Sequence, residues 1–148
     1  MTTMDGYDKP LPRPTPVDQP YWDGLKTHRM LVQQCADCGA RQWYPREMCS
    51  ACTSFSLTWA AVEPEGEVYT YTTQHHPTGS KFDADLPYTV VVVRLDEAPE
   101  INLVGRLVGA EAGDVRIGMK VAGAYLDATE DFSLLLFRPA DAPRGEAA

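Results

Sequence analysis

The sequence predicts a mainly β protein: an N-terminal helix, a four-cysteine metal ribbon, and then a small closed barrel of about five strands. Three observations carry this reading. Cys35, Cys38, Cys49 and Cys52 form two Cys-x-x-Cys pairs close together in the chain. Runs rich in Val, Tyr and Thr follow them, separated by turn residues. Twelve Pro and eleven Gly in 148 residues favour short strands and turns over long helices. A chain of this length buries roughly 68–70% of the surface it exposes when unfolded, enough for one real core.

Residues 1–19 carry Pro10, Pro12, Pro14 and Pro16 without apolar periodicity, so they read as an extended, polyproline-like arm. Such an arm is either a strap across a partner surface or a solvated leader. From Pro20 to about Gln34 the pattern turns helical, with Asp18 as cap and Pro20 near the first helical position. Tyr21, Leu25, His28 and Val32 form one stripe, on which His28 reads as a buried, hydrogen-bonded histidine. The helix and ribbon together take residues 20–59, and the barrel takes 60–139. Its expected strands are Glu67 to His75, Tyr88 to Leu95, Ile101 to Val108, Lys120 to Leu126 and Phe132 to Phe137. Four consecutive valines in the second of these suggest a strand buried on both faces. Residues 140–148 read as a flexible polar tail.

The cysteine spacing is the strongest signal. A ten-residue gap separates Cys38 from Cys49, room for a hairpin that brings the pairs together. Four thiolates suit a soft, tetrahedral ion, and with every position filled by protein no site remains for activating water. Zinc in a structural role is the expected occupant. Iron accepts the same ligand set, and two disulfides are the remaining reading.

Thirteen Lys and Arg against twenty-one Asp and Glu give a net charge of −8. That balance opposes nucleic-acid backbones and anionic membrane faces. No apolar run nears the roughly 20 residues a membrane helix needs, and the first residues lack the basic and apolar regions of a signal peptide. A cytoplasmic location and reduced cysteines are therefore expected.

Residues 20–59 hold six of the fourteen aromatic residues, all three Trp among them, with four basic side chains against three acidic. A nearly neutral, Trp-rich module with a thin core is expected to bury rings on a second surface, either its own barrel or a partner. The partner-contact candidates are Tyr21, Trp22, Trp43, Tyr44, Pro45 and Arg46, with Trp43 to Arg46 in the loop between the cysteine pairs the first choice. No phosphate-binding Gly loop, nucleophile elbow or His-Glu-x-x-His occurs. Only His75 and His76 resemble an acid/base pair. They precede a long loop containing Lys81, which is placed either to line a ligand entrance or simply to face water.

The series of motifs has a precedent. Pro20-Tyr21-Trp22-x-x-Leu25 leads into Cys-x-x-Cys-Gly, then Tyr44-Pro45-Arg46, then the second cysteine pair. Gly66 to Thr72, Leu86-Pro87-Tyr88, Val93 to Asp96, Asn102 to Gly105, Ile117 to Val121 and Phe137-Arg138-Pro139 follow. Over about residues 20–139 the chain resembles the acyl-CoA-associated zinc-ribbon/OB-fold family, once catalogued as a domain of unknown function. The resemblance implies a rubredoxin-like zinc ribbon and a five-stranded OB-fold barrel. It also implies a non-catalytic subunit of a thiolase-fold enzyme: a thiolase, an acyltransferase, or a retro-aldol lyase acting on steroid side-chain CoA esters. In such a hetero-oligomer the partner carries the chemistry, and acyl-CoA is met only through it, along a channel that His75, His76 and Lys81 are candidates to line. The family's metal ligands fall on Cys35, Cys38, Cys49 and Cys52. Thr53 departs from the family's usual Gly, at a turn that prefers positive φ.

Two other classes compete. OB barrels and zinc ribbons also bind single-stranded nucleic acid, with Tyr69 and Tyr71 as candidate stacking rings. Against this, residues 66–138 hold six basic side chains and eleven acidic ones. An autonomous acyl-CoA enzyme using His75 or His76 lacks both a nucleophile and an open metal site.

Overall fold

The computed structural model describes residues 6–141. The first residues of the arm (1–5) and most of the tail (142–148) lie outside the described residues. Helix α1 spans Gln19–Lys26, and strands β1 (Leu31–Cys35), β2 (Arg41–Gln42) and β3 (Leu57–Ala61) follow. These strands form a small antiparallel sheet in the order β2-β1-β3. Strands β4 (Glu65–Gln74), β5 (Tyr88–Leu95), β6 (Asn102–Leu107), β7 (Lys120–Asp127) and β8 (Ser133–Pro139) close into a five-stranded OB-like barrel in the order β4-β5-β6-β8-β7. The regular structure is thus mostly strand, with one α-helix among the described residues.

The helix is shorter than its apolar stripe predicts. After Lys26 the chain turns at Thr27 and His28, the latter with φ of 56°, and resumes as β1. Tyr21 and Leu25 therefore sit on the helix, whereas Val32 faces the same core from a strand. Their helical spacing is a coincidence of two elements sharing one core. His28 is correspondingly not buried. Its ring lies flat on Tyr125 at 4.7 Å, and its Nε2 is 2.9 Å from Asp127 Oδ1, tying the turn to β7.

Strand β5 differs from expectation in the same direction. Thr89, Val91, Val93 and Leu95 are buried, while the residues between them are half-exposed. The valine run is therefore one inward row alternating with one outward row, as a barrel wall requires. Strand β4 bulges at Tyr69, where the register with β5 slips by one residue. A Cβ on Gly66 would fall 2.0 Å from the Arg94 carbonyl oxygen, so only glycine lets β4 cross β5 there.

Phe137, Leu95, Ile101, Val68 and Val121 fill the barrel, and one continuous apolar cluster joins them to Leu25, Met30 and Val32 beneath the ribbon. Trp22 meets Phe132 edge-on at 6.4 Å across the same seam. The described part of the Pro-rich arm lies on the barrel of its own chain, where Lys9 pairs with Asp85 at 3.0 Å. No helix among the described residues is long and apolar enough to cross a membrane.

Candidate metal centre

Cys35 ends β1, and Cys38 lies in the turn after it. The Cys35 N–H donates to the Ala40 carbonyl at 2.9 Å, and the Gly39 N–H returns to the Cys35 carbonyl at 2.9 Å. The second pair repeats this turn: the Cys49 N–H donates to Ser54 at 2.8 Å and the Thr53 N–H to Cys49 at 3.0 Å. Gly39 and Thr53 occupy equivalent places with φ of 75° and 64°. The Ser54 hydroxyl donates to Asp37 at 2.5 Å and ties one turn to the other.

All four Sγ atoms lie within 4.8 Å of one another. The closest pairs are Cys35–Cys52 at 3.6 Å and Cys38–Cys49 at 3.7 Å. These two closest spacings match the edge of a tetrahedron whose centre-to-sulfur distance is about 2.3 Å, that of zinc thiolate, and all four thiols are free. Cys35 and Cys49 form the buried floor, while Cys38 and Cys52 face solvent. The N–H of Cys38 draws the Cys35 thiol down to about 6, and the N–H of Cys52 lowers Cys49. Cys52 is pushed up to about 12 despite the Ser54 N–H, because the sulfurs of Cys38 and Cys35 crowd it. Each turn thus favours the thiolate at its first cysteine.

A β-branched residue at positive φ carries a cost of roughly 1–2 kcal/mol, which glycine avoids. Thr53→Gly is expected to raise the stability of the metal-loaded protein by about 1 kcal/mol once glycine's greater unfolded-state entropy is set against that relief. Thermal unfolding checks this, and a lowered midpoint would contradict it.

Two buried glutamines, unmarked by any motif, shape the loop between the cysteine pairs. Gln33 Oε1 accepts from the Arg46 N–H at 2.8 Å and from Gln42 Nε2 at 2.8 Å, while Gln33 Nε2 donates to the Arg46 carbonyl at 2.9 Å. Gln42 Oε1 in turn accepts the Ser50 N–H at 2.9 Å.

Asp18 is a third anchor. Instead of capping α1, its carboxylate accepts from the Thr15 N–H at 2.6 Å, from Trp22 Nε1 at 3.4 Å and from the Tyr44 hydroxyl. Burial pushes this carboxyl up, but the hydrogen bonds from Tyr44, Thr15 and Trp22 outweigh that and hold it below its ordinary value. A carboxylate depressed in the folded state adds stability above its unfolded pKa, about 3.9, and loses it as pH falls through the lower folded value. Asp18→Asn should therefore be less stable than wild type at neutral pH, with the gap closing below about pH 4. Thermal unfolding of both proteins across that range checks this; a gap independent of pH would contradict it.

The predicted contact residues divide. Tyr21 is buried, with its ring centroid 4.6 Å from that of Trp43 and 5.0 Å from that of Trp22, so it belongs to the interior rather than to a free contact surface. Pro45 is buried, Trp22 and Trp43 are half-buried, and Arg46 is exposed. Tyr44 is 47% exposed, and two further ribbon residues outside the predicted set, Met48 and Phe55, are 41% and 76% exposed. Phe55 follows the second cysteine pair, and an aromatic residue there is the signal that marks it. His75, His76 and Lys81 are exposed, and no hydrogen bond or ion pair among the described residues joins their side chains. Their loop is organised by Asp83, whose carboxylate accepts the N–H groups of Thr78 at 2.9 Å and Gly79 at 2.6 Å.

Comparison with known proteins places these features. Residues 22–58 match the ChsH2 rubredoxin-like zinc ribbon domain, and residues 59–126 match the ChsH2 C-terminal OB-fold domain. Among solved structures, a chain of the Ltp2-ChsH2(DUF35) aldolase is similar with a TM-score of 0.79 and 32% identity, covering 88% of this chain and 99% of that one. A Sulfolobus solfataricus protein of unknown function from the DUF35 family shares the fold, with a TM-score of 0.61 at 19% identity over 84% of this chain and 85% of that one. A probable enoyl-CoA hydratase alpha subunit of Thermomonospora curvata is 37% identical over 86% of this chain and 40% of its own length. The 3-oxo-4,17-pregnadiene-20-carboxyl-CoA hydratase alpha subunit of Mycobacterium tuberculosis is 29% identical over 80% of this chain and 36% of its own. The chain thus spans about two fifths of the length of these curated relatives.

Proposed function

We propose, from the premise that this chain belongs to the ChsH2 family of zinc-ribbon and OB-fold proteins, that it is an accessory subunit of an enzyme acting on acyl-CoA esters. The observation that carries the reading is the match to 99% of a chain of the Ltp2-ChsH2(DUF35) aldolase. The partner is a thiolase-fold enzyme (a thiolase, acyltransferase or retro-aldol lyase) in the degradation of steroid side chains or related acyl groups. It supplies the nucleophile and the acid/base groups, and the two chains form a hetero-oligomer in the reducing cytoplasm. The names of the hydratase subunits support a CoA-ester substrate class.

Within this assembly Cys35, Cys38, Cys49 and Cys52 hold one zinc ion in a structural role. Zinc bound by four thiolates supplies cross-linking rather than Lewis-acid chemistry, because no coordination position is left for substrate. The contact surface is the exposed ribbon: Tyr44 and Arg46 as expected from sequence, together with Met48 and Phe55, while Trp22, Trp43 and Pro45 are less exposed. The loop bearing His75, His76 and Lys81 lies at the rim of the partner's acyl-CoA channel.

Co-expression with a thiolase-fold enzyme encoded nearby, followed by size-exclusion chromatography and a CoA-ester cleavage assay, tests the reading. Phe55→Asp is expected to weaken assembly at least tenfold, about 1.4 kcal/mol or more, without releasing metal. Wild-type assembly by both Phe55→Asp and Arg46→Glu would remove the ribbon from the interface, and failure of every thiolase-fold candidate to co-purify would overturn the reading.

A further inference from the structure

The arm and the barrel enclose a cleft of about 430 Å³ that no role described above uses. Its floor follows from the pairing of β7 with β8. Leu126 lies opposite Leu134, and Leu136 is two residues further along β8, so the three share one face. Phe137, of opposite parity, points into the barrel core, which leaves the leucines on its outer face. Pro10, Leu11 and Pro12 of the arm form the opposite wall, and Leu11 is 39% exposed at the rim.

One corner of this apolar cleft is positively charged. Lys9 Nζ and Arg106 Nη1 both reach Asp85 Oδ2, at 3.0 and 2.9 Å, so two cations share one carboxylate. The Arg106 guanidinium also rests over the Tyr88 ring, 5.6 Å from its centroid, which fixes its orientation. Its Nε is buried and has no hydrogen-bond partner among the described residues. The Lys9 and Arg106 side chains are 20% and 32% exposed and both line the cleft, so each cation keeps donors that a carboxylate can reach.

We propose that this cleft binds a small aliphatic monocarboxylate, with the acid group at the corner formed by the Lys9 ammonium and the Arg106 guanidinium and the hydrocarbon between the leucine floor and the Pro-rich arm. The cleft's volume lies within the usual range for ligand sites, about 300–1,000 Å³. The two cations in the lining suit a carboxylate, and the leucines and prolines call for an apolar body. A nucleotide or a bare inorganic anion satisfies only the first requirement. The inference stands on this chain alone and does not depend on the proposed partner.

Titration calorimetry and saturation-transfer NMR on the full, metal-loaded chain, with octanoate, octanol and acetate as probes, test it. Octanoate should saturate one site, with octanol and acetate at least tenfold weaker. Arg106→Gln should bring octanoate to the level of octanol. Leu11→Asp, on the exposed arm and outside the barrel, should also weaken octanoate at least tenfold, and it keeps the test open if Arg106→Gln fails to fold. Absence of saturable octanoate binding would overturn the proposal, as would affinities unchanged in the variants or octanol binding as well as octanoate. A concentration-dependent dimer abolished by Leu11→Asp would assign the cleft to a second copy of the chain and equally overturn it.

Discussion

Cys38→Ser is expected to yield protein that is insoluble or degraded, with no bound metal. The ribbon sheet comprises β1, β2 and β3, and the core beneath it is small: Tyr21, Leu25, Met30 and Val32 are buried, with Trp22, Trp43 and Trp59 half-buried against the same cluster. So thin a core does not hold two cysteine turns and their connecting loop in place by apolar burial alone. Structural zinc contributes about 10–16 kcal/mol of apparent binding energy in small zinc-finger peptides, comparable to the 5–15 kcal/mol by which a whole domain is usually stable. Cys38 is exposed, so its replacement by serine creates no cavity and little strain, and the expected loss is attributable to the metal. Metal analysis together with soluble yield checks the prediction; a soluble variant with full metal content would refute it. The same analysis on wild type, expressed with zinc and iron both supplied, tests the assignment of zinc, which a red, iron-loaded product would overturn.

The second large effect lies in the barrel. Phe137 is fully buried, opposite Gly123 of β7, and it is the residue through which β8 meets Leu107 of β6 in the one parallel contact that closes the wall. Phe137→Ala is expected to cost about 3–5 kcal/mol, through lost burial plus the cavity left behind. A Cβ on Gly105 would lie 2.8 Å from the Phe137 ring, so the absent side chain of β6 makes room for that ring. Gly105→Ala should accordingly destabilise the wild type and do less harm in Phe137→Leu, whose shorter side chain leaves space. Urea unfolding of the four proteins measures this coupling, and purely additive effects would show that the ring and the glycine do not constrain each other.

The barrel was legible because β-branched runs and turn residues alternate along it, and the expected strands match β4 to β8 to within a few residues. The four cysteines were legible from spacing, and Thr53 indeed takes the positive φ foreseen at its turn. The end of α1 was not legible, because Val32 keeps the helix's apolar spacing after the chain has become a strand. Nor was the inward Tyr21, since a sequence shows where rings are concentrated but not which of them pack on one another. Gln33 and Gln42 read as surface residues, and their burial depends on partners in the cysteine loop that only the folded chain brings to them. The path of the arm was hidden for a similar reason: Asp85, which receives Lys9, is distant in sequence.

The two buried glutamines bear on how tightly the ribbon can hold a partner. Association removes conformational freedom, at roughly 0.5–1.5 kcal/mol for each flexible side chain that must be immobilised, and loops that order on contact lose more. Here the backbone around Arg46 and Ser50 is already fixed by side-chain amides within the chain. An enzyme docking on the proposed surface would therefore meet main chain whose entropy was lost during folding, so the contacts proposed for Tyr44 and Arg46 would translate more fully into affinity.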